Sequence, residues 1–273
     1  MRPDLPPLRD VINQHGLRAR RSLGQNFLLD LNLTARIARA AGNLSDTNVI
    51  EIGPGPGGLT RALLDTDAVK ITALEMDFRA VAALEELKLA YPERLEIIET
   101  DAMKIDVASL TPAPRVIVAN LPYNIATPLL LNWLRQIDQY KGLTLMFQKE
   151  VADRLCAAPR TKAYGRLSII AQWLCHVSAA FNVDKSAFTP PPKITSTIVN
   201  FVPREKPLVD VNFKALETVT AAAFGQRRKM LRTSLKSLSL KPEDFGIPET
   251  ARAEELSVEQ FCQLARGYQD SQN

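Results

Sequence analysis

Val49-Ile50-Glu51-Ile52-Gly53-Pro54-Gly55-Pro56-Gly57-Gly58-Leu59-Thr60 decides how this chain is built. Residues 49–52 form a short apolar run that reads as a buried strand, and 59–64 carries helical apolar spacing. Between them, Gly53, Gly55 and Gly58 satisfy the G-x-G-x-x-G pattern. Glycines let the backbone approach a ligand that side chains would hold off. Strand, glycine loop and helix in that order form the context in which such a loop holds a nucleotide. Working outward, apolar strands at 69–74, 95–98, 116–119 and 143–147 alternate with helical stretches at 78–90 and 128–137. Such a βαβ series predicts a mostly parallel sheet with helices on both faces.

The flanks are less regular. Pro3, Pro6 and Pro7 open a loose N-terminal stretch before a short helix, and 31–41 reads as a helix ended by Gly42. After Lys149, helical stretches at 150–155 and 167–174 lead into 177–183 and 195–202, joined through the corner Thr189-Pro190-Pro191-Pro192-Lys193. Two strands joined so closely predict an antiparallel pair closing the sheet. Residues 203–207 (Pro-Arg-Glu-Lys-Pro) read as a linker, and 213–224, 229–238 and 258–266 have helical spacing. The expectation is an α/β domain over 1–204 and a small all-helical domain over 205–273.

With 273 residues, 46% of them hydrophobic and 23% charged, the chain has the composition of a soluble globular protein. The net charge of +4 is modest but clustered. Arg227, Arg228, Lys229 and Arg232 continue to Lys236 and Lys241 without an acid, and Arg18, Arg20 and Arg21 form a second group. Such runs are either solvated helix faces or nucleic-acid contacts. Cys156, Cys175 and Cys262 are far apart, and two histidines cannot assemble a zinc site. These features predict reduced thiols in a cytosolic protein without a metal, neither secreted nor membrane-embedded.

The candidate chemistry sits at strand ends. Glu75, just over twenty residues beyond the glycine loop, is placed to accept from both ribose hydroxyls of an adenosyl cofactor. Asp101 ends the third strand and either accepts from the cofactor's adenine amine or caps the turn that follows. Loop and acids fit nicotinamide nucleotides and S-adenosylmethionine equally. Asn120-Leu121-Pro122-Tyr123, at the end of the fourth strand, separates them. A side-chain amide and a backbone carbonyl aimed at one point accept both hydrogens of an exocyclic amine, the ring beside them stacks on a flat base, and nothing in the turn serves hydride transfer.

With these motifs in order, the chain resembles the ribosomal RNA adenine N6-dimethyltransferases, most closely the bacterial small-subunit branch (the KsgA/RsmA family). Five segments carry the resemblance: Arg20 to Leu28, Glu51 to Thr60, Asn120 to Asn124, Phe188 to Lys193 and Phe224 to Arg232. It implies a Rossmann-like class I methyltransferase sheet, mostly parallel with an antiparallel last strand. It also implies that Asn26, Leu28, Gly53, Gly55, Glu75, Asp101 and Asn120 line an S-adenosylmethionine pocket. Asn120 and the Leu121 carbonyl would hold the target amine, with Tyr123 and Phe188 on the two faces of the base. Arg20, Arg21, Arg227, Arg228, Lys229 and Arg232 would contact RNA. The implied reaction is dimethylation of two adjacent adenosines near the 3′ end of 16S rRNA, by a cytoplasmic monomer acting on the small subunit or its precursor. Three rivals remain: a large-subunit rRNA or DNA adenine methyltransferase, a binding or assembly factor on the same fold, and a nicotinamide oxidoreductase.

Overall fold

The apolar runs around the glycine loop pair side by side, as residues suited to a pleated, buried surface do. In the computed structural model, which describes residues 3–17, 19, 25–226 and 228–272, the chain begins with α1 (Leu8–Gln14), β1 (Phe27–Leu28) and α2 (Leu31–Ala40). There follow β2 (Asn48–Ile52), α3 (Gly58–Leu64), β3 (Lys70–Glu75), α4 (Phe78–Ala90), β4 (Leu95–Glu99), β5 (Arg115–Ala119), α5 (Tyr123–Leu134) and β6 (Gly142–Gln148). The remainder is α6 (Lys149–Leu155), α7 (Arg166–Leu174), β7 (Cys175–Val183), β8 (Phe188–Thr189), β9 (Ser196–Pro203), α8 (Phe213–Gly225), α9 (Leu231–Ser234) and α10 (Val258–Asp270). The chain divides into two compact units: Met1–Lys149 with Ala179–Asn200, and Glu150–Ser178 with Phe201–Asn273.

The first unit holds the sheet, in the order β4-β3-β2-β5-β6-β9-β7. The pairings β4 with β3, β3 with β2, β2 with β5 and β5 with β6 are all parallel. All five residues of β2 are buried, as expected for a strand flanked on both sides and covered on both faces. Its Val49 packs with Ile71, Val116 and Val118 of neighbouring strands and with Leu63, Leu64 and Leu84 of α3 and α4. β9 and β7 lie next to each other at one edge, where the proline corner puts them. A separate two-stranded piece pairs β1 with β8 antiparallel, Leu28 opposite Phe188.

Two helices differ from expectation. Helix α5 begins at Tyr123 rather than at 128, because Pro122 takes the N-cap and Pro128 lies inside the helix. An interior proline costs about 3 kcal/mol, and the burial of Leu129, Leu130, Trp133 and Leu134 on the same helix offsets it. Tyr123 therefore stands in the first turn of a helix rather than in a loop. The stretch 229–238 is broken into α9 and a separate 3₁₀ turn over Lys236–Leu238.

In the second unit, aromatic rings join α7, α8 and α10. Trp173 lies 5.8 Å from Phe213, and Phe224 lies 6.3 Å from Tyr164 and 5.6 Å from Phe261. This packing draws 150–178 into the helical unit, so the chain passes between units at three places and not only near the linker at 203–207. Among the described residues no helix is long and apolar enough to cross a membrane.

Candidate active site

Parallel strands put their C-terminal ends on one side of a sheet, and ligands of open α/β folds bind there. The ends of β2, β3 and β5, the loop after β4 and the segment leading into β1 surround one cleft of about 1010 Å³, open mouth included. Asn26, Leu28, Gly53, Gly55, Glu75, Asp101, Asn120, Leu121 and Tyr123 all line it.

The glycine loop is shaped for close approach. Gly55 has a left-handed φ of +55°, and its N–H donates to Glu75 Oε2 at 3.0 Å. A Cβ at Gly58 would stand 2.5 Å from the Leu28 carbonyl oxygen, so α3 starts against β1 with no room for a side chain. Glu75 accepts twice more, through Oε1, from the N–H groups of Met76 at 2.8 Å and Asp77 at 2.9 Å. Burial pushes the Glu75 carboxyl up from its ordinary 4.5, while these three donors work to keep it ionised. Asp101 caps the turn that follows, Oδ1 accepting from Met103 N–H at 3.0 Å, and the residue also lines the cleft.

At the other wall, Asn120 Nδ2 donates to the Asn26 carbonyl at 3.2 Å. The amide is thereby oriented, with Oδ1 left to accept. The Tyr123 hydroxyl and Ser196 Oγ are 2.6 Å apart. Burial pushes the Tyr123 phenol up, and the Ser196 hydrogen bond partly opposes that. Ser196 is fully buried and opens β9, so the amine-binding turn is tied to the strand beyond the proline corner.

Phe188 is not among the lining residues. It is buried in the apolar cluster with Leu28, Ile37 and Ile198, because the β1–β8 pairing turns it inward. Arg20, Arg21 and Arg227 lie outside the described residues. Arg228 and Lys229 are exposed on the second unit, and Arg232, also exposed there, pairs with Glu249 at 2.9 Å.

Sequence reasoning overlooked Glu51, Ser196 and Gln25. Gln25 lines the cleft and its Nε2 donates to Asp77 Oδ2 at 3.3 Å. Glu51 did carry a signal, an acid in the middle of an apolar strand. It is buried, its Oε2 has no hydrogen-bond partner, and burial raises its pKa to about 8. With Glu75 and Asp101 it makes three carboxyl groups in one cleft, which among the described residues no lysine, arginine or histidine lines.

The family model described as "Ribosomal RNA adenine dimethylase" matches residues 16–270. A Paramagnetospirillum magneticum protein named "Ribosomal RNA small subunit methyltransferase A" is 64% identical over 267 residues, covering 96% of this chain and 95% of its own length. A Rhodospirillum rubrum protein of the same name is 59% identical, covering 96% and 92%. Among solved structures, a dimethyladenosine transferase from Plasmodium falciparum superposes with a TM-score of 0.77 at 28% identity, covering 90% of this chain and 98% of that one. The 23S rRNA methyltransferase ErmE gives 0.69 at 28% identity, covering 89% and 100%.

Proposed function

The chain belongs to the ribosomal RNA adenine dimethylase family, and from that premise we propose that it transfers methyl groups from S-adenosylmethionine to adenosine N6 amines of small-subunit ribosomal RNA. The product is N6,N6-dimethyladenosine, at two adjacent positions near the 3′ end of 16S rRNA. Relatives named for the small subunit match at up to 64% identity, whereas the likeness to the 23S enzyme ErmE is at 28%. We place the reaction in the cytoplasm, on the small subunit or its precursor, with one copy of the chain acting alone.

The observation that carries this reading is the cleft itself, where an oriented amide and an acidic, glycine-walled pocket meet. Its charge suits the methyl donor. Three carboxyl groups, with no basic side chain among the described lining residues, would oppose the pyrophosphate of a nicotinamide dinucleotide and complement a cationic sulfonium and ammonium. When bound, S-adenosylmethionine supplies an electrophilic methyl group. Asn26, Leu28, Gly53, Gly55, Glu75 and Asp101 would hold it, Glu75 through the ribose and Asp101 through the adenine.

The chain's own work is positioning. An adenine N6 lone pair is delocalised into the ring, and acceptance of both amine hydrogens by Asn120 Oδ1 and the Leu121 carbonyl biases the nitrogen toward a tetrahedral shape with its lone pair presented to the methyl. Such orientation reaches effective molarities of roughly 10⁵–10⁸ M. The nitrogen sheds its proton to water after transfer, so no side-chain base is required. The target base must leave its stack, and Tyr123 replaces that stacking, worth roughly 1–3 kcal/mol. Phe188 would offer the second face only after its ring leaves the core, so Tyr123 is the ring on which the mechanism rests. Residues 205–273 form the RNA-binding part, through Arg227, Arg228, Lys229 and Arg232, assisted by Arg20 and Arg21.

The test is radiolabelled methyl transfer to small-subunit particles, with the modified nucleoside identified. Wild-type protein should yield N6,N6-dimethyladenosine, and Asn120→Ala should lose at least about a hundredfold in turnover while binding the cofactor within a few-fold of normal. Label entering only large-subunit RNA, or near-normal turnover in the variant, would overturn the reading.

A further inference from the structure

Glu51 is a carboxyl group that the mechanism above leaves unused. It sits in the central strand β2, 1% exposed, on the floor of the cleft. Its Oε2 has no hydrogen-bond partner. The contrast with Glu75 is instructive. Glu75 is served by three backbone N–H donors, which make a buried negative charge tolerable. Among the described residues the one donor beside Glu51 is the Thr60 hydroxyl, whose pull toward ionisation is weaker than the cost of burial, and neither Glu51 Oε2 nor Thr60 Oγ1 meets hydrogen-bond geometry with any partner. An unpaired charge so deeply buried is very costly, and such a group keeps its proton instead.

The surroundings reinforce this. From β3 the Glu75 carboxylate faces Glu51, and from α3 the Thr60 hydroxyl does. The end of β5 brings the uncharged Asn120, and the loop after β4 brings Asp101, a further acid in the same cleft. Among the described residues no lysine, arginine or histidine lines the cleft to compensate. A cation entering this cleft removes both obstacles, the missing counter-charge and the repulsion from Glu75.

We propose that Glu51 gives up its proton when a cationic cofactor enters the cleft, coupling cofactor binding to pH. The inference rests on the methyl-donor reading above. The O–H bond of Glu51 breaks, the proton passes through the open mouth to solvent, and the carboxylate that remains balances positive charge on the ligand. Without a ligand the group stays protonated up to a pH of about 8, where burial has moved it. A nearby opposite charge shifts such a group down by about 1–3 units, so at pH 7 roughly half to nine-tenths of the molecules change state on binding.

The experiment is calorimetric titration of the full chain with S-adenosylmethionine at pH 7, in buffers of different ionisation heat. Wild-type protein should release roughly half to one proton more than Glu51→Gln, whose amide mimics the protonated acid. Wild-type affinity should tighten about tenfold between pH 6 and pH 8, and the variant's should change far less. Binding heat that is the same in every buffer overturns the proposal while leaving the methyl-donor reading intact. Equal proton release from Glu51→Gln overturns it too, assigning the proton to Glu75. No binding by wild-type protein overturns the methyl-donor reading itself, and the proposal with it. Should Glu51→Gln fail to fold, the pH series of wild-type protein and of Glu75→Gln decides: tightening that persists in Glu75→Gln supports the proposal, and a flat wild-type profile or tightening lost in Glu75→Gln overturns it.

Discussion

Replacing Gly58 by alanine probes how the cofactor wall is built. Its φ is not left-handed, so the alanine backbone is unstrained, and alanine favours a helix by up to about 1 kcal/mol over glycine. Space is what opposes it. The added Cβ would meet the Leu28 carbonyl oxygen at 2.5 Å and Leu8 Cδ1 at 3.3 Å. To reach an ordinary separation the β1 backbone must retreat by about 0.5–0.9 Å, and overpacking of this kind costs about 1–3 kcal/mol. The net expectation is a loss of about 1–2 kcal/mol, which at about 2–4 °C per kcal/mol lowers Tm by roughly 2–8 °C. Activity should suffer more than stability. Leu28 lines the cleft, and Asn26, two residues earlier, orients Asn120 through its carbonyl. Misplacement by 1 Å can cost about a hundredfold in rate, so methyl transfer should fall about ten- to a hundredfold. Thermal denaturation and the transfer assay read the two effects. Gly225→Ala is the control, since a Cβ there meets nothing within 4 Å, and it should be neutral or slightly stabilising. Wild-type stability and transfer in Gly58→Ala would refute the reasoning.

Three further outcomes are expected. Tyr123→Phe should cost about 1–3 kcal/mol, because it strands the Ser196 hydroxyl in the core; Ser196→Ala should cost less, since the half-buried tyrosine retains access to water, and denaturation of the two single variants and the double variant should reveal coupling, with simple additivity counting against the bond. Combined replacement of Arg227, Arg228 and Lys229 should weaken RNA binding and reduce the slope of log K against log salt by about 0.7–0.9 for each phosphate that is no longer neutralised, whereas an unchanged slope would make them a solvated face. The Asp77 carboxyl is held below its ordinary 3.8 by hydrogen bonds from the Arg79 guanidinium, with Nη2 2.6 Å away, and from Gln25; its contribution is full above that value and lost as pH falls through the folded one. Asp77→Asn should therefore destabilise clearly at pH 6 and progressively less as pH falls below 3.8, and an equal loss at every pH would show that the charge is irrelevant.

Much of the site is legible in the sequence because its parts are local along the chain. Apolar strands announce themselves by composition, the glycine loop by spacing, and Glu75, Asp101 and Asn120 by standing at strand ends, which a parallel sheet gathers on one side. Asn26 and Leu28 have no such local signal and are expected there only through the family resemblance; they line the same cleft as the strand-end residues. Local patterns mislead where two local preferences compete. Proline favours the first turn of a helix, and both Pro122 and Pro128 offer a start; burial of the apolar face downstream settles the start at Tyr123.

The sequence by itself determined the alternation of strands and helices, the parallel sheet and the identity of the residues at its ligand-bearing edge, since each follows from spacing along the chain. Only the tertiary structure decided what those residues touch. The Asn120–Asn26 and Tyr123–Ser196 bonds span 94 and 73 residues. Pairing of β1 with β8 turned Phe188 into the core, and packing of α7 carried 150–178 into the helical unit. The charge state of Glu51 belongs to the same class, for desolvation is set by everything packed around a group and by nothing in its own tripeptide.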